Sequence, residues 1–232
     1  MSAVVTAQSS AGNGRPSCLI IGAGPGIGQA VAMAFANEGY DIGLLARHRE
    51  HLREHCEAIE QKTGRRALAV AADAADEVSL QAGIATVRAS LGDPDVLVYN
   101  VASHAPGRPM SVSLEHVVAN FKVNVVSALV AARAVAPAMI ERKRGTILFT
   151  GGGFAYEPAA DYSSLSMDKA ALRSLTYTLA QELGLHGVHV ATVTVYGFIQ
   201  HGTHFDPTRI AASYIRLHRQ PKGHFETEAI YK

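Results

Sequence analysis

The chain has 232 residues, of which 48% are apolar, and its 21 basic and 20 acidic side chains leave a formal net charge of +1. This length suits one α/β domain with a large core, and the scattered charges exclude the electrostatic footprint of a protein that binds nucleic acid or an anionic membrane. Cys18 and Cys56 suggest neither a disulfide framework nor a thiolate metal site. We therefore expect small-molecule partners and a reducing, cytoplasmic setting.

Residues 1–16 are small and polar and lack the basic and long apolar regions of a signal peptide, so we expect a flexible tail before a single domain over 17–232. No uninterrupted apolar run reaches the roughly 18 residues that a membrane-spanning helix needs. Beyond the tail, short strands alternate with helices. Strands are predicted at 17–22, 41–46, 66–71, 95–100, 145–150 and 188–195, and helices at 27–38, 49–62, 77–91, 113–140, 162–184 and 208–219.

These strands are mostly apolar on both faces, which is typical of a parallel sheet covered by helices. The alternation predicts a single Rossmann-type α/β domain, with a doubly wound, mostly parallel sheet of 6 to 7 strands and helices on both faces. Residues 224–231 alternate in a way that predicts an additional edge strand. In such sheets ligands bind at the carboxyl ends of the strands.

The first strand ends in a glycine-rich turn that opens the first helix. Its glycines fit the spacing G-x-x-x-G-x-G through Gly22, Gly26 and Gly28, but not G-x-G-x-x-G, because Ile27 stands where the last glycine would fall. Without Cβ atoms in the way, a diphosphate can reach the unpaired amides at the helix N-terminus. A turn that only packs the helix onto the sheet would use the same glycines.

Polar side chains follow the next three strands. Arg47 stands where a dinucleotide fold that prefers NAD usually has an acidic residue, so it either pairs with the 2′-phosphate of NADP or is a solvated arginine. Asp73 either contacts adenine or starts the next helix, for which Asp76 is the predicted N-cap. Asn100 either lines a cofactor cleft or braces neighbouring strands.

Several separated segments together resemble the short-chain dehydrogenase/reductase family, over nearly all of residues 17–230. The glycine turn matches its T-G-x-x-x-G-x-G motif with Ile21 in place of threonine, and residues 99–102 (YNVA) resemble its N-N-A-G motif. Asn124 and Lys169 match its asparagine and lysine, and residues 196–197 (YG) resemble its P-G pair. With Arg47, the resemblance implies NADP(H) bound by Gly22, Gly26, Ile27, Gly28, Arg47, Asp73, Asn100, Lys169 and Ile199.

Two departures bear on catalysis. The family has a tyrosine four residues before its lysine and a serine thirteen residues before that tyrosine, and these positions hold Leu165 and Gly152 here. Carbonyl reduction needs a proton donor and a group that stabilises the developing charge, and Leu165 can donate nothing. With Lys169 and Asn124 retained as expected catalytic residues, the predicted donor is Tyr162 or a water held near those two side chains.

Other groups belong to the same predicted rim. Tyr156, Tyr196 and His201 are further candidate acids in loops. The run 150–153 (TGGG) predicts open space and exposed amides in place of the serine, or alternatively a flexible turn.

The loop 196–207 is shorter than the helical substrate lid that the family usually carries. His51 with His55, and His201 with His204, have the spacing of metal-ligand pairs but lack suitable companions, so no metal site is predicted.

Two functions follow as hypotheses. The first is an NADP(H)-dependent oxidoreductase that transfers hydride to or from a small carbonyl or alcohol with a non-standard proton donor. The second is a non-catalytic nucleotide-binding or interaction protein that retains the fold. The resemblance also implies a homodimer or homotetramer formed through the two long helices, 113–140 and 162–184.

Overall fold

A computed structural model describes residues 14–232, which form one seven-stranded sheet. Every strand pair is parallel, and the order across the sheet is β3-β2-β1-β4-β5-β6-β7. The strands are β1 (Ser17–Ile21), β2 (Asp41–Ala46), β3 (Ala67–Ala71), β4 (Val96–Tyr99), β5 (Gly145–Gly152), β6 (Val188–Val195) and β7 (Glu228–Tyr231). The predicted tail over 1–16 falls outside the described residues except for its last three.

Helices follow the strands and cover both faces of the sheet, as predicted. They are α1 (Ile27–Asn37), α2 (Arg49–Thr63), α3 (Glu77–Leu91), α4 (Leu114–Phe121), α5 (Ser127–Glu141), α6 (Ser163–Gly184) and α7 (Pro207–His218). Two apolar clusters, one on each face, contain the fully buried side chains; Phe35 lies in one and Phe149 in the other. The N-cap prediction is confirmed, because the Asp76 carboxylate accepts hydrogen bonds from the first amides of α3.

The predicted helix 113–140 is not one regular helix. A π-helical turn, Lys122–Val126, separates α4 from α5. The wider turn displaces backbone carbonyls from the helical ladder, and the hydroxyl of Tyr99 donates to the Val123 carbonyl at 2.5 Å. Sequence periodicity could not predict this turn, because Tyr99, which donates to its carbonyl, lies on β4. The turn directs Asn124 into the interior, where it is buried.

The stretch Leu114–Glu141, 28 residues long, is long and apolar enough to cross a membrane, by length and composition alone. Half of the most apolar 18-residue segment within this stretch is buried inside the protein, as in the core helix of a sheet domain. The expectation from uninterrupted runs missed it because Lys122 and Arg133 divide the stretch.

Candidate functional site

The glycine turn lies between the carboxyl end of β1 and the start of α1, and its positions require glycine for different physical reasons. Gly22 has φ +86°, and a Cβ there would lie 2.7 Å from the amide nitrogen of Val101. A Cβ on Gly28 would lie 2.5 Å from the Gly22 carbonyl oxygen. Gly26 has φ +108° but borders open space. Packing therefore accounts for Gly22 and Gly28, whereas Gly26 leaves its amides open to a ligand.

Ile27 and Ile199, both expected to bind the cofactor, differ in position. Ile27 is the first residue of α1 and its side chain is buried in the core, so only its backbone amide can face a ligand. Ile199 is 42% exposed in the loop after β6, and its Cγ2 atom lies 4.0 Å from where a Cβ on Gly26 would be. Ile199 and Gly26 thus lie close together across the same cleft.

Arg47 and Asp73 both follow strands at this edge and are exposed. The Arg47 guanidinium has no hydrogen-bond or ion-pair partner among residues 14–232. The Asp73 carboxylate accepts from the Ala75 amide at 2.9 Å, which forms a local turn ahead of α3. Arg47 is therefore available to an anionic ligand, and Asp73 keeps one carboxylate oxygen free of protein bonds.

The structure confirms one of the two interpretations of Asn100, that it braces neighbouring strands. Its amide donates to the Gly22 carbonyl at 2.9 Å and accepts from the Thr150 hydroxyl at 2.7 Å. These bonds tie β4 to the ends of β1 and β5. Asn100 therefore braces neighbouring strands directly beneath the glycine turn, and any contact with a ligand would be additional to that role.

Lys169 is a buried ammonium at the same edge of the sheet. Its side chain is 8% exposed and its Nζ donates to the Thr150 carbonyl at 2.8 Å. Burial lowers the pKa of Lys169 to about 8, while the charge on Asp168 acts in the opposite direction. The lysine lies on α6 and its methylenes pass beside Gly152, where a Cβ would meet them at 3.4 to 3.5 Å.

Asn124 is held by three bonds. Its Oδ1 accepts from the Ser103 amide, and its Nδ2 donates both to the Ser103 carbonyl and to Asp168 Oδ2, each at 2.7 Å. Sequence reasoning missed Asp168 and Ser103. The signal for Asp168 was a charged residue immediately before the lysine on a helix packed against the sheet; no local signal pointed to Ser103.

The expectation of open space along 150–153 is wrong for two of its three glycines. A Cβ on Gly151 would meet the Thr194 hydroxyl at 2.7 Å, and a Cβ on Gly153 would meet the Tyr196 ring at 2.7 Å. The neighbouring strand and the following loop fill those spaces. Only Gly152 leaves room for a side chain, and its extended backbone (φ −158°, ψ 151°) suits any residue.

The candidate proton donors lie in different surroundings. Tyr162 is the residue before α6, where its ring stacks on Phe154 with centroids 5.6 Å apart, and its hydroxyl has no partner among the described residues. The Tyr156 hydroxyl instead donates to Glu228 at 2.6 Å, and burial together with that carboxylate raises its pKa to about 12. His201 is exposed and lies 3.7 Å from Asp206.

The loop between β6 and α7 is brief, as expected. Gly197 packs under the Phe205 ring, since a Cβ on Gly197 would lie 2.4 Å from that ring. Phe198 is 83% exposed. His204 Nε2 donates to the Lys232 carbonyl at 2.6 Å, and its ring stacks on Tyr231. The loop is thus anchored to the residues at and just after β7.

An all-parallel sheet in this order, with a glycine turn after β1 and polar groups converging at the carboxyl edge, defines a Rossmann-type α/β protein. Residues 17–204 match the model of the family described as short chain dehydrogenase. The chain belongs to that family.

Individual relatives agree with this assignment. A short chain dehydrogenase of Pseudocercospora fijiensis is 32% identical over 74% of this chain and 56% of its own length. The 2,3-dihydro-2,3-dihydroxybenzoate dehydrogenase of Bacillus subtilis is 30% identical over 75% and 67% respectively. Among solved structures, a metagenomic short-chain oxidoreductase in complex with NADP is 30% identical with a TM-score of 0.85, covering 93% of this chain and 96% of its own.

Proposed function

We propose that the protein is an NADP(H)-dependent oxidoreductase that transfers hydride to or from a small carbonyl or alcohol. The observation that carries this proposal is the buried Lys169 ammonium at the carboxyl edge of the sheet, which is linked to the glycine turn through Thr150 and Asn100. A buried ammonium costs free energy unless it is paired and hydrogen-bonded, and we infer that this one holds the hydroxyls of the nicotinamide ribose when the cofactor is bound. Relatives named as dehydrogenases, and a similar structure in complex with NADP, support the same function.

The phosphorylated form of the cofactor follows from Arg47. A planar guanidinium pairs with phosphate through two parallel hydrogen bonds, and this one has no protein partner to give up. NADH, which carries a ribose hydroxyl in place of the 2′-phosphate, would gain nothing from it. Gly22, Gly26, the Ile27 amide and Gly28 would hold the diphosphate, and the cofactor when bound supplies the hydride.

We propose Tyr162 as the proton donor, with a water near Lys169 and Asn124 as the alternative. The free hydroxyl of Tyr162 and its stacking on Phe154, two residues beyond Gly152, support this assignment. Its position before α6 lies roughly 10 Å along the helix axis from Lys169. A substrate would therefore extend from the nicotinamide toward Phe154.

A second candidate function is binding without chemistry. It rests on Gly152 and Leu165, which stand where the resemblance places the two groups that handle the reacting oxygen. Such a protein would bind NADPH but would not oxidise it with any carbonyl compound. A single carbonyl compound reduced at an ordinary rate would exclude it.

Fluorescence titration with NADPH and NADH tests the cofactor assignment. We expect NADPH to bind more tightly than NADH, and Arg47→Gln to remove most of that preference. Arg49→Gln is the matched control, since Arg49 is an exposed arginine two residues further along. Equal affinity for both cofactors in the unaltered protein would contradict the assignment.

A turnover assay with Tyr162→Phe tests the proton donor. The variant should lose carbonyl reduction and keep its affinity for NADPH. Tyr177→Phe is the control, because that hydroxyl is committed to Glu228 at 3.0 Å. Unchanged turnover in Tyr162→Phe would remove Tyr162 from the mechanism and leave the water near Lys169.

The domain and its assembly complete the proposal. We infer that residues 17–232 act as one cofactor-binding unit and that copies associate into a homodimer or homotetramer through the two long helical segments, 113–140 and 162–184. Leu114 and Val118 are apolar and more than 60% exposed on α4, and Met167 is half exposed on α6. Leu114→Arg should convert a dimer or tetramer to a smaller species in analytical ultracentrifugation; an unchanged sedimentation coefficient would count against this face.

A further inference from the structure

Asp168 is a buried carboxylate next to the buried ammonium of Lys169, and the proposed function gives it no role. Its side chain is 1% exposed. One oxygen, Oδ2, accepts from the Asn124 amide at 2.7 Å, whereas the other, Oδ1, is buried without a hydrogen-bond partner. A buried carboxylate with an unsatisfied oxygen is costly unless a nearby positive charge balances it.

The two charged groups do not contact each other directly. Lys169 donates to the Thr150 carbonyl and Asp168 accepts from Asn124, so each has its own hydrogen bond. Among the residues that the structure describes, Asp168 is the charged group that raises the pKa of Lys169, and Lys169 is the charged group that lowers that of Asp168. Arg173, one turn further along α6, is already paired with Glu228 at 2.9 Å. Arg173 is therefore committed to another carboxylate and does not serve as the counter-ion of Asp168.

The surroundings of Lys169 explain why a counter-ion is needed. The position one turn before it is Leu165 and the residue beside its methylenes is Gly152, so neither supplies a polar side chain. Burial lowers the pKa of Lys169, and burial also raises the pKa of Asp168, against the opposing effects of Asn124 and the lysine charge. The charge of each group therefore opposes the effect of burial on the pKa of the other, and for Asp168 the Asn124 amide acts in the same direction.

We propose that Asp168 is a positioning residue, the counter-ion that keeps Lys169 protonated and at the same time fixes the Asn124 amide. The inference rests on the proposed function, in which Lys169 holds the cofactor ribose. Asn124 Nδ2 bridges Asp168 and the Ser103 carbonyl, so the carboxylate also links α6 to the π-helical turn and to the loop after β4. In this role Asp168 acts through Lys169 and Asn124.

The first test is the pH dependence of NADPH binding. Affinity should fall as Lys169 loses its proton, and in Asp168→Asn the midpoint of that fall should move down by about one pH unit or more. For a shift of one unit the variant should bind about fivefold more weakly at the original midpoint and about tenfold more weakly well above it. The control is Asp161→Asn, which removes an exposed carboxylate paired with Arg108 and should leave the midpoint unchanged. An unmoved midpoint in Asp168→Asn would overturn the proposal.

The second test needs no cofactor. Unfolding is measured for Asp168→Asn, Lys169→Met and the double variant. Each single change leaves one buried charge without its counter-ion, so the double variant should lose less free energy of unfolding than the two single variants lose in sum. In the Lys169→Met background, Asp168→Asn should stabilise the protein. Additive effects would overturn the proposal. Asp168→Ser serves as a second variant if the asparagine variant does not fold.

The two tests separate this inference from the proposed function. If the unaltered protein binds neither NADPH nor NADH, the proposed function fails, while the unfolding cycle still decides whether Asp168 and Lys169 are coupled. If NADPH binds but the midpoint and the cycle show no coupling, the proposed function stands and the role of Asp168 is refuted.

Discussion

The two missing polar groups can be restored, and the structure indicates that the protein will accept them. Gly152 has an extended backbone, and a Cβ there would lie 3.4 to 3.5 Å from the Lys169 methylenes, which is ordinary contact. Gly152→Ser should therefore cost no folding strain and gain about 0.4 to 1 kcal/mol by restricting the unfolded chain. Leu165 is half-buried and lies one turn before Lys169, about 6 Å along the helix axis.

We predict that Gly152→Ser/Leu165→Tyr raises carbonyl reduction substantially. A positioned general acid contributes about 10²- to 10⁴-fold in rate, or about 3 to 5 kcal/mol of barrier. The phenol would lie beside the Lys169 ammonium, which lowers the pKa of a neighbouring acid. The assay follows NADPH consumption with a panel of small ketones and aldehydes, and NADPH affinity is measured in parallel.

The matched control is Gly152→Ala/Leu165→Phe, which adds nearly the same atoms without the two hydroxyls. It should fold equally well, bind NADPH equally well and gain no turnover. If the hydroxyl-bearing variant binds NADPH yet turns over no faster than this control, the missing groups do not limit the chemistry. The reasoning from Gly152 and Leu165 would then be wrong.

Three further predictions concern stability. Gly28→Ala should lower the free energy of unfolding by about 1 to 3 kcal/mol, because its Cβ would meet a backbone carbonyl at 2.5 Å. The control Gly24→Ala, whose Cβ would have nothing within 4 Å, should change it by no more than about 0.5 kcal/mol. Equal unfolding midpoints for the two variants would contradict this prediction. Tyr99→Phe should cost about 1 to 3 kcal/mol in chemical denaturation, because the Val123 carbonyl loses its donor, and a neutral result would show that the π-helical turn does not need it. The pKa of Lys169 is about 8 in the folded protein and 10.5 ordinarily, so the unfolded chain binds more protons between those pH values. The free energy of unfolding should therefore rise with pH across that range, by about 3 kcal/mol in total. Lys169→Met should abolish the rise in pH-dependent melting, and a rise that persists would belong to another group.

Local patterns in the sequence were sufficient for the architecture. Strand and helix positions follow from runs and periodicities that each residue shares with its near neighbours, and the seven-stranded parallel sheet agrees with them. The same holds for the Asp76 cap, whose acceptors and donors are within three residues of each other. The glycine turn was visible because its spacing is local as well.

The structure decided the questions that depend on distant residues. Asn100 had two interpretations until its bonds to Gly22 and Thr150 showed that it braces the strands. The open space expected at Gly153 is absent because Tyr196, more than forty residues further along the chain, fills it. No periodicity can report which side chain from another strand occupies a gap.

Asp168 shows the same limit at the candidate site. By itself the sequence determined the Rossmann-type fold, the glycine turn and a lysine at the expected place, because those depend on spacing along one segment. Only the tertiary structure brought Asn124, on the π-helical turn, within 2.7 Å of Asp168 on α6. Charge balance in a buried site depends on which groups share one small volume of low dielectric, and that volume is defined when the helices pack on the sheet.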